Sequence, residues 1–156
     1  MRPLPFLLAL AVACAHEDDH DHDDTDALHE DTDAHEDVTL GDPETYTDGM
    51  EKDTKDGLFK VALTLNPAPH VGLHDVTLFI TRNRMAGAPH TDAAVSLAAD
   101  MPHHGHGTDP VTVVEQGDGT YTADDLNLMM AGRWRLSATI PGPHATDTIE
   151  WWFEVE

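Results

Sequence analysis

With 156 residues the chain has room for one domain and a tail, on a prior of about 150 residues per domain. Acidic residues outnumber basic ones 30 to 8, for a net charge of −22, which excludes the basic face that nucleic acid or an anionic membrane requires. A single cysteine, Cys14, excludes an internal disulfide, a cysteine-rich zinc module and a CxxC redox pair, while 12 histidines among so many carboxylates make the chain rich in cation ligands.

Residues 1–13 read as an export signal. Arg2 supplies a minimal positive start, and the apolar run from Leu4 to Ala13 ends in small residues. That run is too short to span a bilayer, which needs roughly 20 apolar residues. Ala11-Val12-Ala13-Cys14 resembles the lipobox of bacterial lipoproteins, with Ala11 where leucine is usual. The resemblance implies that Cys14 is acylated and becomes the first mature residue. Acyl chains would then hold the protein to a membrane at about 0.8 kcal/mol per buried methylene. Ala15 in place of aspartate removes the inner-membrane retention signal, so the expected location is the bacterial cell envelope, lipid-anchored at the outer membrane and facing the periplasm, or on the extracellular side.

Residues 14–56 read as a linker. His16–Asp37 holds 12 acids, five histidines and no base, with only Leu28, Ala27 and Ala34 apolar. Such a segment cannot bury enough surface to offset its ordering entropy, and a disordered acidic His-rich tail is expected. Imidazoles and carboxylates at this density bind divalent cations loosely. Val38–Lys55 continues as a polar connection with Gly41, Pro43 and Gly49.

Residues 57–156 alternate apolar and polar positions as strands do. Phe59, Val61, Leu63 and Leu65 share one face, then Asn66-Pro67 breaks the run. His74, Val76, Leu78 and Ile80 form a second strand, and Val95, Leu97, Ala99 and Met101 a third. Val111–Glu115 is a fourth, followed by the turn Gln116-Gly117-Asp118-Gly119. Thr120–Leu128 is a fifth. Trp134, Leu136, Ala138 and Ile140 mark the sixth, and Ile149, Trp151, Phe153 and Val155 the last. No apolar stretch keeps helical spacing. The expected fold is all-β, an immunoglobulin-like sandwich of about seven strands.

The concentrated chemistry lies in Met101-Pro102-His103-His104-Gly105-His106-Gly107-Thr108. Glycines let this loop fold so that imidazoles converge. Counting strand directions puts Met129 and Met130, which follow the fifth strand, at the same pole, together with His70 after the first. His90 and His144 fall at the opposite pole and read as surface residues. The candidate metal ligands are therefore Met101, His103, His104, His106, Met129, Met130 and His70, with His74 beside it. Thioethers select Cu(I), whereas imidazole also accepts Cu(II) or Zn(II). Met101 and Met130 hold the inward phase and could equally cap the core, a common use of methionine. Trp134 and Trp151 hold the inward phase, and Trp152 the outward one.

Four segments carry a family resemblance. Pro69-His70-Val71-Gly72, the Met101–Thr108 loop, Gly117-Asp118-Gly119-Thr120-Tyr121 and Leu128-Met129-Met130-Ala131-Gly132-Arg133-Trp134-Arg135-Leu136 resemble the YtkA-like domain, related to FixH-type proteins. The likeness covers about residues 57–156. It implies a small β-sandwich in an exported or membrane-tethered bacterial protein, with copper handling as the expected role. Where the family's loop often has a methionine or fewer histidines, this chain has His103 and His104, which leaves Cu(I) and Cu(II) both open.

Catalysis is not expected. Ser96 and Ser137 are the only serines, both within strands, and the domain has no thiol, so a Ser-His-Asp or Cys-His nucleophile lacks a member. Three histidines could hold a zinc, but no glutamate in the loop could serve as its general base. Three roles remain. One is a membrane-anchored metal-binding protein that buffers or delivers copper; another is a structural or interaction module of the envelope, with an envelope protein as partner and incidental histidines. The third is a zinc scavenger.

Overall fold

Alternating side chains set both faces of each long strand. In β2 (Phe59–Asn66) and β3 (Gly72–Arg82), every second residue is buried, from Phe59 to Leu65 and from His74 to Ile80. The computed structural model describes residues 40–156; the expected export signal, Cys14 and the acidic segment His16–Asp37 lie outside them. The remaining strands are β1 (Met50–Asp53), β4 (Ala88–Pro89), β5 (Ser96–Met101), β6 (His106–Gly107), β7 (Val114–Glu115), β8 (Thr120–Leu128), β9 (Gly132–Pro141) and β10 (Thr146–Val155). Short 3₁₀ turns occupy Asn83–Met85 and Pro102–His104.

These strands form two antiparallel sheets. One runs β1-β2-β3-β8-β7 with β4 added to β3; the other runs β10-β9-β5-β6. Their inner faces meet in a single core that includes Leu63, Leu78, Ile80, Leu126, Trp134, Leu136, Ile140 and Trp151. The all-β sandwich expected from alternation is the observed fold.

Register fixes which loops share an end. Gly72 pairs with Leu128, and Gly132 with Val155. Asp100 pairs with Arg135, so the end of β5 lies beside the start of β9. The turns after β2, β5 and β8 therefore gather at one pole, where Val71 N–H also donates to the Glu156 carbonyl at 3.3 Å. A bulge between His74 and Val76 sets two residues of β8, Asp124 and Asp125, opposite one of β3. It shifts the inward phase from Tyr121 and Ala123 to Leu126 and Leu128.

Four expectations change. The linker expected through residue 56 is shorter, because residues 40–56 pack onto the sandwich. In that segment β1 pairs with β2, Tyr46 Oη accepts from Leu65 N at 2.6 Å, and buried Thr54 donates to Asp147. Among the described residues ten strands replace the expected seven or so; the additions are β1 and the two-residue β4 and β6, while the strand expected over Val111–Glu115 contracts to β7. Trp152 does face away from the core, yet it is only 7% exposed. The segment around Gly41 covers its indole, Glu44 N–H donates to its carbonyl at 2.6 Å, and Arg135 lies over the ring at 5.6 Å. His90, expected at the surface, is 2% exposed and held by Arg82 and by Pro141, the latter 51 positions away.

Candidate metal centre

The loop after β5 reverses within five residues. Gly105 adopts φ +64°, a conformation that costs glycine little, and its N–H donates to the Met101 and Pro102 carbonyls at 3.1 and 3.3 Å. The chain then returns as β6, with His106 paired to Met101. His103, His104 and His106 are all exposed. The His104 and His106 rings stand 5.8 Å apart. His106 Nδ1 lies 3.2 Å from the His104 carbonyl and donates to it, which leaves the Nε2 lone pair for a cation. Metal-binding histidines commonly use one nitrogen on a carbonyl in this way, fixing tautomer and ring orientation.

The second loop leaves β8 at Leu128 and re-enters the other sheet at Gly132. Gly132 has φ +131°, and a Cβ there would lie 2.7 Å from Met101 Cε. This tight fold lets Trp134 Nε1–H donate back to the Met130 carbonyl at 2.9 Å. The same indole meets His106 edge-on, at 6.4 Å between centroids and 89° between planes. One buried tryptophan thus touches both loops. Sequence reasoning treated Trp134 as core packing; the missed signal was its four-residue spacing from Met130 across a glycine.

The methionines divide by environment. Met101 is 1% exposed and its methyl packs against Gly132, so its thioether is part of the core. Met130, which the alternation of Leu126 and Leu128 would have turned inward, is 39% exposed because β8 ends at Leu128. Met129 is 49% exposed. The accessible thioethers at this pole are those of Met129 and Met130.

His70 and His74 form a pair of their own. His74 is 1% exposed, and its Nε2 accepts from His70 Nδ1 at 3.0 Å and from His70 N at 3.3 Å. Its Nδ1–H donates to the Leu126 carbonyl at 3.4 Å. Both nitrogens of His74 are therefore engaged within the fold. Burial pushes its pKa below the usual histidine value; the Leu126 carbonyl opposes this, and the neighbouring His70 reinforces it. His70 is exposed, with Nδ1 also 3.1 Å from the Ala68 carbonyl, so its Nε2 is the nitrogen left for a ligand.

Among the described residues no three histidine or carboxylate side chains already converge on a common point. The exposed groups at this pole that could hold a cation are the imidazoles of the first loop and the thioethers of the second.

A sequence model of the family described as YtkA-like matches residues 55–139, more than half of the chain. No curated protein and no solved structure matches it.

Proposed function

The chain belongs to the YtkA-like family, and from that premise we propose that it is a membrane-anchored, extracytoplasmic metal-binding protein that buffers or delivers copper. Support comes chiefly from Trp134, whose indole meets His106 on one side and holds the Met130 carbonyl on the other. Imidazole and thioether donors on adjacent exposed loops form a mixed set, and such a set favours copper over zinc, which gains little from thioether sulfur. The site is open, contains no thiolate and holds its ion with few ligands, so exchange to a partner is easy. Copper is the cargo here; the chain's own groups capture it and let it go.

The anchor rests on Cys14 and the preceding apolar run, and Ala15 in place of aspartate supports a position at the outer membrane facing the periplasm, or on the extracellular side. The segment His16–Asp37 would hold further divalent ions loosely near the membrane.

Competitive titration of the chain with Cu(I), Cu(II) and Zn(II) tests the proposal. His104→Ala combined with His106→Ala should abolish tight binding of all three while leaving the fold intact, since both side chains are exposed. Unchanged Cu(I) affinity in that double variant would refute it.

A further inference from the structure

The pole opposite the metal loops carries a different chemistry. Elsewhere among the described residues most cations are paired: Lys52 with Glu44, Lys60 with Glu51, Arg133 with Glu154, and Arg135 with Asp100 and Glu150. Arg82 and Arg84, like Lys55, have no carboxylate partner among the described residues, in a chain with a net charge of −22, and these two arginines lie together.

Arg82 is held instead by a buried histidine. His90 packs against Phe59 at 4.5 Å, and its Nε2–H donates to the Pro141 carbonyl at 2.8 Å. That bond fixes the tautomer, so Nδ1 accepts Nε–H of Arg82 at 2.9 Å. Tyr121 Oη–H donates to the His90 carbonyl at 2.9 Å and holds the backbone in place. Among the described residues the terminal Nη1 of Arg82 then meets only Met85 Sδ, at 3.5 Å, a weak acceptor.

Beside this oriented guanidinium opens a cavity of about 270 Å³, walled by Leu58, Phe59, Met85 and Pro143 and edged by Arg84 and His144. Small-molecule sites are mostly apolar with a few placed polar groups, and this volume falls just below their usual range of about 300–1,000 Å³, room for a small ligand only. A guanidinium fixed through one N–H and left with free donors suits a carboxylate, which it can grip with two parallel bonds. The strongly negative chain penalises each further charge on a ligand, which favours a monoanion over a phosphate.

We propose that this cavity binds a small organic carboxylate with an apolar body, its head on Arg82 and Arg84 and its chain against Leu58, Phe59 and Met85. His90 is the positioning residue that aims Arg82. The site is separate from the metal loops and does not depend on copper binding.

Calorimetric titration of octanoate into the whole chain carrying Cys14→Ser tests this, with acetate (head alone) and octanol (body alone) as controls. Saturable one-to-one binding of octanoate is expected, with both controls weaker by at least roughly tenfold. Arg84 is exposed, so Arg84→Gln should fold normally and bind octanoate roughly tenfold more weakly, the loss of one charge-assisted hydrogen bond. Arg82→Lys keeps the charge but loses the fork and should weaken binding too. Octanoate should shift the amide resonances of Leu58, Met85 and Ala145 and leave those of His103–His106 in place. Absence of saturable binding, equal binding by Arg84→Gln, or octanol binding as tightly as octanoate would overturn the proposal.

Discussion

His74 sits where a proton would be costly: its ring is buried, one nitrogen donates to Leu126 and the other accepts from His70. Its folded pKa lies below the ordinary histidine value, so the folded state binds fewer protons than the unfolded one. The stability it contributes is complete above the unfolded value of about 6.5 and is lost as pH falls from there through the folded pKa. The urea midpoint of the wild type should therefore drop between about pH 7.5 and about pH 5.5, and His74→Gln should flatten that dependence. A wild-type midpoint independent of pH would contradict the buried neutral imidazole. The exposed loop histidines were readable from sequence because glycines and proline mark their loop. The role of His74 was not, because its partner Leu126 is 52 positions away.

Among the elements, the turn from β8 to β9 is the one that brings the thioethers beside the histidine loop, and Gly132 closes it. Any side chain at φ +131° is strained, and a Cβ there would press on the Met101 methyl at 2.7 Å. Gly132→Ala should cost about 1–3 kcal/mol, read as a lower urea midpoint with the slope unchanged. A midpoint equal to the wild type would show that the turn is not constrained in this way.

The long strands were legible because alternation over eight to eleven residues has no other solution, as in β2 and β3. Even the bulge left a trace, in the change of phase between Ala123 and Leu126. β1 left none. Met50-Glu51-Lys52-Asp53 has no apolar alternation; it is an edge strand, held by backbone bonds to β2 and by Lys52, which reaches Glu44 and the Glu150 carbonyl. The burial of His90 and Trp152 escaped for a related reason. Tyr121 and Pro141 on one, and Glu44 and Arg135 on the other, come from other segments of the chain that no local pattern connects. At the site itself, strand counting gave the shared pole, since it needs only the number of turns. Solvent access to the methionines depended on where β8 ends, which alternation alone does not specify.

For the whole molecule, the proposed role needs an anchor as well as a site. Cys14→Ser should release the protein from the membrane fraction into the soluble periplasmic fraction, because no acyl chain then remains to bury. Membrane association as strong as that of the wild type would remove the lipoprotein assignment while leaving the metal site in question untouched.

The central claim is that exposed histidines on one loop and exposed thioethers on the next serve a single copper ion. Copper-edge X-ray absorption of the Cu(I)-loaded chain reads the ligand atoms directly. Met129→Leu with Met130→Leu should cost well under about 1.5 kcal/mol in stability, as both are volume-conserving apolar exchanges. The wild type should show sulfur and nitrogen scatterers together, and the double variant should lose the sulfur shell and bind Cu(I) more weakly, with Zn(II) affinity unchanged. Nitrogen-only spectra that are identical in the two proteins would contradict the shared site.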